Sequence, residues 1–224
     1  MPDMAGATRS YEMARRLVSR GHEVHMVTSY QKVSEKTDWF ESKEAGINVH
    51  WFPVTYSNEM SFSERIKAFI RFAIAASKKA QSLKGDVVFA TSTPLTIAIP
   101  GYLTARKNKI PMVFEVRDLW PELPIAMGAL KNPVTKWLAK QLELFAYKNA
   151  SSVVALSPGM RDGVLSTGYN EQQIAVIPNS SDNALFEVSD SLGKAFLLKT
   201  IKIPTAVEIA VSATLKMALK KVKY

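Results

Sequence analysis

Along most of this chain, short apolar runs rich in β-branched residues alternate with longer segments of helical period, and no other feature restricts the fold as much. The runs are residues 23–29 (EVHMVTS), 47–54 (INVHWFPV), 86–91 (DVVFAT), 111–116 (PMVFEV), 152–156 (SVVAL) and 174–177 (IAVI). Between them lie predicted helices over 8–20, 61–83, 94–107, 133–149 and 159–167. Gly21 and Gly168 end two of these helices, and Pro133 opens another, where its missing N–H costs nothing. Residues 86–91 are almost continuously apolar, as in a strand buried on both faces. Strand–helix alternation with short connections predicts an α/β fold, a doubly wound parallel sheet covered on both faces. Such a domain ordinarily opens with a strand. This chain opens with MPDMAGATRS, which reads as a loop, so the expectation is a sheet whose first strand is missing.

The 224 residues suffice for one such domain and an appendage. Two divisions are expected, a domain over 1–193 and a basic tail over 194–224, where seven lysines face one acid, Glu208. The tail contains no arginine and reads as foreign to the domain, as a frameshift or gene fusion would make it. A helix over about residues 205–221 fits its spacing. The net charge of +9 therefore belongs mostly to the tail; residues 1–193 hold 22 basic and 19 acidic groups. A nucleic-acid footprint would be built into the domain, so that partner class is set aside. There is no cysteine, which excludes disulfides and thiolate metal sites, and no apolar run reaches the length of a spanning helix. The first residues lack the basic and apolar regions of a signal peptide.

In doubly wound sheets, ligands gather beyond the carboxyl ends of the strands. That rule selects Thr28-Ser29, Thr91-Ser92-Thr93, Arg117-Asp118, Ser157-Pro158-Gly159 and Pro178-Asn179-Ser180. Ala5-Gly6-Ala7-Thr8 opens the first helix, either as an anion-binding turn or as a plain helix start with Thr8 as cap. The loop with Arg117, Asp118 and Glu122 could hold a sugar hydroxyl and a phosphate, or Arg117 could pair with either acid to pin the loop. Trp120 and Pro121 read as packing for that loop. Ser157 reads as a helix cap with Pro158 behind it, or as a polar contact at the strand end. Asn179 and Ser180 serve a ligand or a turn. His22 reads as a corner residue, and His25 and His50, in strand patterns, are assigned no role. No G-x-G-x-x-G turn occurs, so a dinucleotide-binding dehydrogenase is not supported.

Four segments in register resemble GT-B glycosyltransferases of the family 4 type, in particular the bacterial surface-polysaccharide branch. They are PDMAGATRSYEMARRLVSRGHEVHMVTS, FEVRDLWPELPIAMG, SSVVALSPGMRDGVLSTGY and IAVIPNSSDNALF, and the likeness covers roughly residues 2–190. It implies that the chain is the N-terminal, acceptor-side, Rossmann-like half of a two-domain enzyme, truncated at both ends. The intact enzyme would transfer a sugar from a nucleotide-sugar to an acceptor hydroxyl of a lipid-linked glycan, without metal or other cofactor. Asp118 would take the catalytic role, and Gly6, Ala7, Thr8, Arg117, Glu122, Ser157 and Asn179 would contact acceptor or phosphate. The family usually has a second glycine where this chain has Ala7. With the donor half outside the chain, these residues alone are expected to be inactive, and the competing reading is an inactive gene fragment or a non-catalytic binding module. The resemblance also implies a cytoplasmic protein, peripheral at the inner face of the cell membrane. The helix over 61–83, with its broad apolar face among Lys and Arg, is the candidate for lipid contact; alternatively its Phe and Ile all face the sheet.

Overall fold

The computed structural model describes residues 8–180, except 32–34, 55–59, 93, 127 and 129. The described residues up to Asn179 form one compact unit. The predicted division at 193 and the helix over 205–221 lie outside the described residues.

The chain runs α1 (Thr8–Ser19), β1 (His25–Tyr30), β2 (Phe40–Glu44), β3 (Ile47–Pro53), α2 (Phe62–Ser82) and β4 (Val88–Thr91). A 3-10 turn, Leu95–Ile97, leads into α3 (Ala98–Asn108). Then come β5 (Met112–Val116), α4 (Glu122–Ala126), α5 (Pro133–Lys148), β6 (Ser152–Ala155), α6 (Pro158–Leu165) and β7 (Ile174–Val176). Each strand and helix predicted between residues 8 and 177 is present within a few residues of its expected bounds. The α/β reading holds, and β4-β5-β6-β7 make a four-stranded parallel sheet.

β2 is an addition that the sequence pattern did not reveal. It pairs antiparallel with β3, and β3 pairs parallel with β1, giving a three-stranded sheet of order β1-β3-β2. The β2–β3 connection is the two-residue turn Ala45-Gly46, with φ of 49° and 82°. Positive φ at both positions is what a tight hairpin requires. A Cβ on Gly46 would lie 2.7 Å from Val18 Cγ1, so glycine also lets α1 approach the turn.

β1 and β4 share no ladder; each is the edge of its own sheet. A cavity of about 760 Å³ runs between them, bounded by Val24, His25 and Val27 on one side and Val87 to Ala90 on the other, with α2 and α3 as its floor. Helix α2 leaves the first sheet after β3, packs on α3, and so ties the halves together.

Helix ends follow their sequence signals. Ser61 and Glu64 form a reciprocal capping box at the start of α2, and Asn132 caps α5 with Pro133 in its first position. The main core lies between the four-stranded sheet and its helices, centred on Phe114, Met112 and Val153, all within 1% of full burial. Gly101 of α3 sits so close to this sheet that a Cβ there would come 2.9 Å from both Ala90 and Met112. A smaller core joins α1 to Ile47 and Val49 of β3, and the other face of β3 packs Phe52 against Ala68 and Phe72 of α2.

The histidines left without a role are structural. His50 is buried; its Nδ1 lies 2.9 Å from Glu41 Oε1 and its Nε2 lies 3.0 Å from His25 Nδ1. A carboxylate can only accept, so His50 donates from Nδ1 to Glu41. Burial lowers the His50 pKa, against the opposing pull of Glu41.

Candidate functional site

Two groups of strand-end residues meet at the carboxyl edge. Thr28 and Ser29 of β1 and Thr91 of β4 line a cavity of about 200 Å³ that is closed on its far side by Phe69 and Phe72 of α2. Beside it, Glu115 near the end of β5 is fully buried. Its Oε2 accepts from the Thr91 hydroxyl at 2.7 Å, and its Oε1 accepts from Arg9 Nε at 2.8 Å. Arg9 stands in the first turn of α1, and its guanidinium also reaches the segment after β7. It donates to the carbonyls of Ile177 (2.9 Å) and Pro178 (3.1 Å) and to Asn179 Oδ1 (3.2 Å). A planar fork with five donors can span helix, strand and chain exit in this way, where a lysine could not.

Arg9 and Glu115 were not among the residues singled out from the sequence. One signal was present, an acid inside the apolar run MVFEV, since a buried carboxylate calls for a partner. The partner lies 106 positions away, and nothing local names it.

The predicted residues fall in three places. Asn179 is brought to Arg9, at the chain exit. Ser157 caps α6, its Oγ accepting from the Met160 N–H at 3.2 Å, with Pro158 first in the helix. Arg117, Asp118 and Glu122 form a separate group after β5. The Arg117 N–H donates to Ser92 Oγ at 2.9 Å, Arg117 and Asp118 are half-buried, and Glu122 is the exposed first residue of the short helix α4. Of this loop the sequence predicted only irregular structure, so α4 is a second addition. Leu119 and Trp120 pack onto the main core and Pro121 is fully buried, so this pair anchors the loop. A Cβ on Gly163 of α6 would lie 2.8 Å from Leu119, so the loop presses directly on α6. Gly6 and Ala7 lie outside the described residues. Thr8 is the first residue of α1.

Beneath the loop, Glu143 of α5 is 1% exposed. Burial raises its pKa and the nearby Glu122 charge adds to that, while Lys140, whose Nζ lies 2.7 Å from Oε2, and the Tyr147 hydroxyl oppose it. The same burial raises the Tyr147 pKa. A raised carboxyl pKa means that the folded chain keeps a proton which the unfolded chain releases. Stability therefore falls as pH rises from the ordinary value of 4.5 through the raised one, and the loss persists above it. Glu143→Gln is expected to raise the melting temperature at neutral pH and to give no gain at pH 4 or about there. Melting curves across this range decide it, and an equal gain at every pH would refute the assignment.

Comparison with known proteins places this geometry. The profile described as "Glycosyl transferase 4-like domain" matches residues 5–180. The chain belongs to the glycosyl transferase 4-like family. Sucrose-phosphate synthase from Thermosynechococcus elongatus is similar in fold, at 13% identity and a TM-score of 0.59, covering 89% of this chain and 48% of the synthase. Anabaena HepE, solved with UDP and glucose, aligns at 18% identity with a TM-score of 0.44, covering 70% of this chain and 38% of HepE. This glycosyl transferase 4-like chain thus spans less than half of either. No curated protein matches. The strand-end cavity and the Arg9–Glu115 cluster both lie within the family match, at the sheet edge where α/β folds bind ligands.

Proposed function

We propose that this chain is the acceptor-side half of a glycosyltransferase. The intact enzyme passes a sugar from a nucleotide-sugar to an acceptor hydroxyl on a lipid-linked glycan of a bacterial surface polysaccharide. The family match across residues 5–180 is the observation that carries this reading. The bond from the anomeric carbon to the diphosphate oxygen breaks, a bond to the acceptor oxygen forms, and the nucleoside diphosphate leaves. The acceptor's proton goes to Asp118, whose half-buried carboxylate stands on a loop pinned by Trp120 and Pro121. Arg117 faces phosphate, Glu122 orients the sugar, and the turn of Gly6, Ala7 and Thr8 offers backbone N–H groups to an anion. Ser157 and Asn179 complete the polar edge. No metal or other cofactor enters this proposal.

In this reading residues 8–180 supply the acceptor-binding half, and the donor is bound by a second half such as the remaining length of sucrose-phosphate synthase represents. This chain works at the cytoplasmic face of the cell membrane, with α2 against lipid. Phe69 and Phe72 of α2 line the strand-end cavity, whereas Ile66, Ile70 and Ile74 are exposed, and this exposed strip supports the lipid-contact reading. Among the described residues no helix is long and apolar enough to cross a membrane.

Titration calorimetry on the whole chain tests the assignment, using UDP-glucose and a detergent-solubilised polyprenyl-diphosphate-linked monosaccharide as probes. Binding of the lipid-linked sugar, weakened by Asp118→Asn, with no heat from UDP-glucose, is the expected result. Saturable binding of UDP-glucose alone would overturn the acceptor-side assignment. Binding of neither would favour the inactive fragment.

A further inference from the structure

Three neighbouring helices carry most of the exposed large apolar side chains among the described residues, and their net positive charge exceeds that of the whole described domain. Helix α2 packs on α3, and α3 packs on α5. On α2, Ile66, Ile70 and Ile74 repeat every four residues and form one strip, 40%, 55% and 55% exposed. Ile99 and Leu103 do the same on α3. On α5, Val134, Trp137 and Leu138 share a face, and Trp137 is 61% exposed. Other residues of the same helices fill the core, such as Ala68 on α2, Ala105 on α3 and Ala146 on α5. The outward apolar set is therefore not needed for folding.

The charge is segregated in the same way. These helices hold ten basic residues and two acids. Glu64 is engaged in the α2 capping box with Ser61, Glu143 is buried and paired with Lys140 at 2.7 Å, and Lys79 of α2 is paired with Glu41 of β2 at 2.8 Å. The near-neutral sum over 1–193 hides this, because the rest of that stretch is net acidic.

We infer that this face adsorbs on an anionic lipid bilayer, with Ile70 and Trp137 entering the boundary between headgroups and acyl chains. The inference rests on the membrane reading given above for α2 and extends the contact across α3 to α5. Apolar and basic residues interleaved on one face provide two attractions that act together on such a surface. Each Lys or Arg held near an anionic leaflet strengthens adsorption about fivefold. Tryptophan suits the boundary because its ring is apolar and its N–H remains hydrated. A nucleic acid backbone would reward the lysines and give the isoleucines nothing.

The test is flotation of the full-length chain with vesicles of phosphatidylcholine, alone or mixed with phosphatidylglycerol. Wild type is expected to float with the mixed vesicles only. Ile70→Glu and Trp137→Glu are each expected to weaken partitioning at least tenfold, with the fold confirmed by circular dichroism and Trp137→Phe close to wild type. The lysines of 194–224 remain in every variant, so a difference between variants reports the helical face and not the tail. Loss in Ile70→Glu but wild-type binding in Trp137→Glu would confine contact to α2 and overturn the extension. No binding by wild type would overturn both membrane readings and leave the acceptor calorimetry, done in detergent, unaffected. Self-association abolished by Trp137→Glu, or salt-sensitive DNA binding lost in place of vesicle binding, would reassign the face.

Discussion

Arg9→Ala is expected to cost about 3–5 kcal/mol of folding stability, the usual penalty for breaking a buried ion pair from one side. Glu115 is fully buried and the Arg9 side chain is 13% exposed, so neither solvent nor another cation replaces the lost partner. Thr91 continues to donate to one carboxylate oxygen, which is too little for a charge at this depth. The penalty comes from the charge left behind, and this supplies a second check. Pairing Arg9→Met with Glu115→Leu removes both charges and is expected to recover most of the loss. Urea denaturation of the three chains decides it. A double variant as unstable as Arg9→Ala would mean that Arg9 matters through its bonds to Ile177, Pro178 and Asn179 instead. Limited proteolysis reports on those bonds separately, since Arg9→Ala should expose the chain after β7 to cleavage while the double variant should expose it as well.

Phe114→Ala is expected to be comparably severe, about 3–5 kcal/mol. Phe114 is fully buried at the centre of β5, edge-on to Tyr147 at 6.2 Å between ring centroids. β4 and β6 flank it and helices cover it, so the site cannot collapse around a smaller side chain. The melting temperature should fall by roughly 6–20 °C, using 2–4 °C per kcal/mol for a domain of this size. A fall under about 3 °C would show a core loose enough to refill the space.

The strands of the four-stranded sheet were legible because strands buried on both faces leave long apolar runs. β2 was not, because an edge strand need bury only one face. FESKE alternates between half-buried and exposed and reads as a polar loop. The turn Ala45-Gly46 was its one local signal. Helix α4 was hidden by its length and by Pro124 within five residues. Ser157 could be placed from its own neighbourhood, since Ser followed by Pro at a strand end is a helix start. Arg9 could not, because its role exists only once α1, β5 and the chain after β7 are brought together. The loop around Asp118 was visible as chemistry, an Arg and two acids after a strand. What set its position, Leu119 against Gly163 and Pro121 in the core, was not visible.

The break between β1 and β4 has a mechanical consequence. A continuous parallel sheet is a stiff plate, because bending it across the strands strains a row of backbone bonds. Here the two plates are joined by helices, with α2 as the strap, and by the Arg9–Glu115 pair that pins α1 to β5. The soft direction of the molecule is therefore rotation about an axis parallel to the strands. Such a rotation moves Thr28 and Ser29 relative to Thr91 without breaking any ladder hydrogen bond, so the small cavity at the carboxyl edge is the part of the domain that most easily changes width.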